Sequence, residues 1–218
     1  MSCEFLIKAS KFLITSGANA KTTGAIIGFL SPEFAKENYV VPRRNIEEFI
    51  KNCVVQLSSK DLPVVDMGCG RRSHKDIVEQ TLEISTSGQY MALDHFIGND
   101  EQYRRSGPNV LGSVSRTPLL SDSIGCVICT EVLEHVPNDD DVLTEIHRVL
   151  RPGGKLFLTL PGKHIPKHEK RPYQKDYRRY STEDIKLKLV SCGFQNIEVF
   201  DKSLYEMQIN IFVTATKI

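Results

Sequence analysis

Apolar residues at Ile46, Phe49, Ile50, Cys53, Val54 and Leu57 recur at spacings of three and four, the period of one helix face. Asn45, just ahead of that face, is read as its cap. After Lys60 and Asp61 the pattern shortens. Leu62-Pro63-Val64-Val65-Asp66-Met67 is a brief apolar run closed by Gly68-Cys69-Gly70, which predicts a buried strand and a tight turn. A helix follows near His74–Leu82, then a second strand at Gln89–Asp94 and a third at Gly125–Cys129. Val142, Leu143, Ile146, Val149 and Leu150 mark the next helix face, and Pro152-Gly153-Gly154 ends it. Lys155–Leu160 is a fourth strong strand. Ser181 and Asp184 form a capping-box variant for a helix ending near Gly193. Ile197–Phe200 and Ile209–Ala215 are the last two strands, joined too closely for a helical crossover and so antiparallel.

Strands that alternate with helices predict a doubly wound α/β fold, mostly parallel, with one strand reversed. Residues 1–42 read as an N-terminal extension of helix and loop, and 43–218 as the domain. In the extension Phe5, Leu6, Ala9, Phe12 and Leu13 keep helical spacing, while Glu4 and Lys8 spoil a signal peptide and no arginine precedes Arg43. The expectation is an amphipathic helix packed on the domain.

Composition narrows the class. The 218 residues carry 28 Lys and Arg against 27 Asp and Glu, a net charge of +1, which gives little general affinity for nucleic-acid backbones. With 40% hydrophobic and 25% charged residues the chain is globular, and no apolar run reaches membrane-spanning length. Six scattered cysteines do not make a secreted disulfide framework; they indicate a reducing, cytoplasmic setting. Cys126 and Cys129 form a C-x-x-C on a strand, where residues three apart face opposite ways and cannot share a metal.

The chemistry begins at Val64-Val65-Asp66-Met67-Gly68-Cys69-Gly70. Glycines at a strand-to-helix turn let a ligand approach the backbone with no Cβ in the way. Ser73 stands where a dinucleotide fingerprint has its third glycine, which disfavours a nicotinamide cofactor. Asp94 ends the next strand 24 residues past Gly70, placed to accept both hydroxyls of a ribose. Glu131-Val132-Leu133-Glu134-His135 follows the third strand, and Leu150-Arg151-Pro152-Gly153-Gly154 follows the helix after it.

With Asp66-Met67-Gly68-Cys69-Gly70, these two motifs resemble the class I S-adenosylmethionine-dependent methyltransferases, in particular the small-molecule, ubiquinone-biosynthesis-like subgroup. The resemblance runs from about Val64 to Phe200. It implies a Rossmann-like, seven-stranded sheet and S-adenosylmethionine as cofactor. It also implies that Asp66, Gly68, Cys69 and Gly70 form the turn under the methionine part. Asp94 would hold the ribose, with His95 and Phe96 beside the adenine and Ser113 and Val114 at its border. The Cys129 carbonyl would meet the cofactor amino group, with Thr130 and Glu131 near the sulfonium. Two positions depart from the family: Ser113 replaces an acid, and Gly125 stands where an aspartate is common.

Lys163–Arg179 holds seven Lys or Arg together with His164, His168, Tyr173 and Tyr177, on a loop expected above the strand ends. Ligands bind on that side, and the charge favours an anionic or sugar-like acceptor. His164 and His168 lack the remaining ligands of a metal site, and none is expected. The sulfonium methyl is already activated, so the enzyme aligns the acceptor and removes its proton. The candidate bases are His135, His168 and Glu131. The reading is methyl transfer to a small polar or anionic metabolite, to oxygen before nitrogen. The alternatives are a nucleic-acid or protein methyltransferase and a non-catalytic cofactor-binding module. Cys129-Thr130-Glu131-Val132 lacks the Asn/Asp-Pro-Pro-aromatic pattern of amino-group methylation on bases.

Overall fold

The computed structural model describes residues 41–70, 74–83, 88–95, 101, 107–163, 165, 167, 175–204 and 207–218. The extension expected over 1–42 lies outside the described residues except for its last two. The elements run α1 (Val41–Val54), β1 (Val64–Met67), α2 (Lys75–Leu82), β2 (Tyr90–Asp94), β3 (Val110–Leu111), β4 (Ile124–Thr130), α3 (Asp139–Val149), β5 (Leu150–Pro161), α4 (Thr182–Ser191), β6 (Phe194–Leu204) and β7 (Met207–Lys217). Short 3₁₀ turns stand at Ser59–Asp61 and Leu133–His135.

The strands form one sheet in the order β3-β2-β1-β4-β5-β7-β6. β1, β2, β3, β4 and β5 are parallel, and β7 runs antiparallel to both its neighbours, β5 and β6. This is the doubly wound sheet with one reversed strand that the pattern predicts. β1 and nearly all of β4 are buried, as central parallel strands covered on both faces must be.

Two cores flank the sheet. Val142, Leu143, Ile146 and Val149 of α3 and Ile185 and Leu189 of α4 pack with Val127, Cys129, Leu156 and Leu158 on one face. Ile46, Phe49, Ile50 and Val54 of α1 pack with Cys126, Ile128, Phe157 and Phe212 on the other. Cys126 and Cys129 thus enter different layers, as the two-residue period of a strand requires. No helix among the described residues is long and apolar enough to cross a membrane.

Several local expectations change. Asn45 is not a cap: α1 begins at Val41, and Asn45 lies inside it, buried, its Nδ2 donating to Asn210 Oδ1 of β7 at 3.4 Å. Pro42 suits that earlier start, since a proline in the first turn lacks only an N–H with no partner there. The helix before Pro152 does end as expected, but β5 starts at once with Leu150. Pro152-Gly153-Gly154 is then an irregularity within the strand, where pairing to β4 jumps from Ile124↔Leu150 to Cys126↔Lys155. The capping box at Ser181 is present, with Asp184 N–H donating to Ser181 Oγ and Ser181 N–H to Asp184 Oδ2, both at 3.1 Å.

Gly125 has a structural reason. A Cβ built there would lie 2.3 Å from the Asp61 carbonyl, because the turn before β1 crosses directly over β4. An aspartate has no room in that crossing.

Candidate active site

The turn after β1 is held by β2. Gly68 and Cys69 N–H both donate to the Leu93 carbonyl, at 2.8 and 3.2 Å. Gly70 N–H donates to Asp94 Oδ2 at 2.8 Å, and His95 N–H donates to Oδ1 at 2.7 Å, with the His95 ring 3.0 Å from the same oxygen. Gly68 and Gly70 have φ of +75° and +55°, the left-handed region that favours glycine. They differ in surroundings. A Cβ on Gly68 would meet Val132 Cγ2 at 2.5 Å, so that glycine is backed by the chain leaving β4. A Cβ on Gly70 would meet nothing within 4 Å, so the backbone there borders open space beside the Asp94 carboxylate. An exposed glycine backbone next to a fixed carboxylate suits a ribose and the chain attached to it. The residues present therefore fit an adenosyl cofactor.

Beneath the turn, Asp66 is buried, its Oδ2 accepting from His74 N–H and from the Tyr90 hydroxyl, each at 2.8 Å. Burial raises its pKa, and the neighbouring His74 opposes that rise. The Cys69 and Cys129 thiols are likewise pushed up by burial, which makes both inert packing groups. At the adenine side, Gly112 N–H donates to the Asp94 carbonyl at 3.0 Å, which brings Ser113 and Val114 beside the end of β2. Ser113 is exposed, its hydroxyl 2.9 Å from that of Ser115. Phe96 and Ser73 lie outside the described residues.

β1 pairs with β4 only up to Asp66↔Ile128, whereas β5 follows β4 on to Thr130↔Thr159. β1 and β4 therefore part at their ends, the point where the strand order reverses. Ligands of open α/β sheets bind at such a point. His74, at the start of α2, reaches across it, its Nε2 lying 3.1 Å from Thr130 Oγ1.

Past Thr130 the chain turns sharply. Glu131 has φ of +54°, its N–H donates to the Thr159 carbonyl at 3.0 Å, and its Oε1 accepts from the Thr159 hydroxyl at 3.0 Å. A non-glycine residue held there is the kind of local strain that gathers at functional sites. Burial pushes the Glu131 carboxyl up to about 7, against the opposing pull of the Thr159 hydroxyl and the Arg179 charge. Glu134 is 3% exposed and raised well above the usual carboxylate range by burial, and the charge of Glu131 adds to the rise.

Residues 175–181 fold back over this corner. Asp176 Oδ2 pairs with Arg179 at 2.6 Å, and its Oδ1 lies 3.0 Å from His135 Nδ1. The other ring nitrogen of His135 lies 3.6 Å from Glu134 Oε1. The His135 ring is thus framed by two carboxylates. Tyr177 N–H donates to the Glu134 carbonyl at 2.8 Å, Arg178 donates to the Pro137 carbonyl and pairs with Asp139 at 3.0 Å, and the Tyr180 hydroxyl donates to Asp139 at 2.7 Å.

The structure brings Asp66, Gly68, Cys69, Gly70, Asp94 and His95 together around one turn, with Ser113 and Val114 beside them and Thr130, Glu131 and His135 across the crevice. His164 and His168 lie outside the described residues, as do Lys170 and Arg171. Three of the basic residues described in that loop are engaged: Lys167 with the Tyr177 carbonyl, Arg178 with Asp139 of α3, and Arg179 with Asp176 and the Ile165 carbonyl. Thr159 and His74 were not among the expected site residues, and Asp176 and Arg179 stood in the loop expected above the strand ends without a role of their own. The Asp176–Arg179 spacing stood in the sequence, but nothing local showed that it folds onto Glu131.

Residues 65–158 match a family described as a methyltransferase domain. A probable S-adenosylmethionine-dependent methyltransferase of Mycolicibacterium smegmatis is 25% identical over 135 residues, covering 61% of this chain and 49% of that protein. A ubiquinone biosynthesis O-methyltransferase of Aeromonas salmonicida is 30% identical over 106 residues, covering 44% of this chain and 42% of that one. The chain thus spans less than half the length of these curated relatives. Among solved structures, an S-adenosylmethionine-dependent methyltransferase of Thermotoga maritima, described as a possible histamine N-methyltransferase, superposes with a TM-score of 0.55 at 19% identity over 84% of this chain and 98% of its own. At that identity the likeness is one of fold.

Proposed function

The chain carries a class I S-adenosylmethionine-dependent methyltransferase domain, and from that premise we propose that it methylates a hydroxyl group of a small polar metabolite, with Glu131 taking the proton. The bound cofactor supplies an activated methyl group. Asp94 accepts the ribose hydroxyls, the Gly68–Gly70 turn lies under the chain leading to the sulfur, and Ser113 and Val114 border the adenine. Glu131 faces the acceptor from the end of β4. Thr159 holds its carboxyl, and the surrounding protein keeps it poised near neutrality, where a general base works best. His135 lies between Glu134 and Asp176, and its role is to position them and the fold-back above Glu131.

The observation that carries this reading is the meeting of two chemistries at one crevice. A carboxylate locked to a glycine turn stands on one side, and a half-buried, strained glutamate on the other. Because the described arginines of the 163–179 loop spend their charge on Asp139 and Asp176, the reading favours a polyhydroxy acceptor over an anionic one. The test is incubation of the full chain with methyl-labelled cofactor and fractionated small-molecule extract, followed by identification of the product. A labelled hydroxyl compound is expected. Label found only on nucleic acid or protein would replace this reading.

A further inference from the structure

β6 closes the sheet at one end, and among the described residues no strand pairs with its outer edge. Such an edge presents a row of peptide groups that another strand can complete. The inner edge shows which part of β6 is regular. Pairing to β7 runs unbroken from Glu198↔Thr214 to Lys202↔Asn210 and shifts at both ends of that stretch. Glu198-Val199-Phe200-Asp201-Lys202 is therefore the regular segment, with Phe200 at its centre. Side chains alternate along a strand, so Glu198, Phe200 and Lys202 share one face. They line a groove of about 520 Å³ beside α1, together with Phe49 and Phe212. The Phe200 ring stacks on Phe212, centroids 5.4 Å apart, and meets Phe49 edge-on at 5.8 Å, yet 49% of the residue stays exposed. Glu198 and Lys202 are exposed on either side of it.

We propose that β6 pairs antiparallel with β6 of a second copy of this chain, around a two-fold axis at Phe200, so that the two sheets join into one. The charge pattern selects both the partner and the register. A two-fold at Phe200 sets Glu198 of each copy opposite Lys202 of the other, and ring against ring, the cross-strand pairs that stabilise antiparallel sheets. Centring on Asp201 sets two aspartates opposite each other, and centring on Val199 sets each Glu198 against a phenylalanine ring. The other face of the sheet adds apolar area. α4 packs on β6, and its Lys188 turns toward Asp139 and Asp140 of α3. Val190 lies about 200° further round the helix, on the flank away from α3. Val190 and Leu187 are 57% and 59% exposed, beside the edge that the second copy occupies. A patch that complements itself in this way is what a two-fold contact requires.

Sedimentation of the full chain tests this, and the unaltered chain is expected to dimerise. Lys202→Glu and Glu198→Lys each set like charges opposite at both symmetric positions and are expected to weaken the dimer by about 10-fold or more. The double exchange, Glu198→Lys with Lys202→Glu, brings opposite charges together again and is expected to recover it. The two single variants, mixed in equal amounts, are expected to form a heterodimer, since one then carries acids at both positions and the other bases. If circular dichroism shows one single variant unfolded, the other decides by the same criterion. An unaltered chain that stays monomeric up to about 100 μM would overturn the proposal. So would a dimer indifferent to both reversals, or a loss that the double exchange leaves unrepaired.

Discussion

In the proposed role Glu131 would act as a base only when ionised, and burial places its ionisation near neutrality. On the acceptor found by labelling, kcat/KM should rise with pH through about 7. Glu131→Gln should remove that limb and lower kcat by roughly 10²–10⁴-fold, the usual worth of a general base. Cofactor affinity should stay within about threefold, because none of the hydrogen bonds that hold the turn involves this side chain. A pH–rate profile of the variant that keeps the same acid limb would remove Glu131 from this role. At this scale the proximity of Asp66, the glycines and Asp94 was readable, since they are adjacent in sequence or set at a fixed distance by one strand–helix–strand unit. The acceptor side was half readable. Glu131 and His135 sit in a local motif, but Asp176 reaches His135 from 41 residues further on, through a fold-back that no periodicity marks.

The elements explain which departures from the family pattern matter. Gly125 admits the turn at Asp61 that leads the chain into β1. Restoring the common acid, Gly125→Asp, should therefore destabilise the fold by about 3 kcal/mol or more, read from urea unfolding, by forcing two backbones apart. A variant of unchanged midpoint would show that the crossing can yield.

α3 is tied to the loop before β4 by one carboxylate. Glu145 accepts from Thr117 N–H and from the Thr117 hydroxyl, each at 2.7 Å, and pairs with Arg148 at 2.7 Å. The Arg148 hydrogen bonds, with those of Thr117, lower its pKa to about 2, whereas an unfolded chain gives it 4.5. A depressed acid stabilises the fold above its unfolded value and loses that contribution as pH falls through its folded value. Glu145→Gln should thus cost about 2 kcal/mol at pH 7 and flatten the stability loss between pH 4.5 and 2. Acid titration followed by circular dichroism checks both. Central strands and amphipathic helices were legible because burial on two faces or one writes itself into the residue pattern. The cap at Asn45 and the start of β5 were not, since each depends on a partner strand distant in sequence.

Taken whole, the proposed reading divides the sheet between two tasks, and ligand binding should stiffen the seam. Cofactor at about 100 times its dissociation constant adds about 2.7 kcal/mol to the folded state. For a chain of this size that corresponds to a rise in Tm of roughly 5–10 °C. A thermal scan with and without S-adenosylmethionine measures it, and an unchanged midpoint would speak against the crevice as its site. That the sheet has seven strands was implied by family resemblance; alternation alone predicts only a doubly wound sheet, and neither gives the strand order.

The reversal at β1 and β4 has an evolutionary consequence. In the proposed reading, the described residues assigned to the nucleoside come from the stretch up to Val114 and those assigned to the acceptor from Thr130 onward, with His74 and Thr130 as one stitch between the halves. A duplicated copy of such a gene can trade its later segment for another and inherit its methyl donor intact.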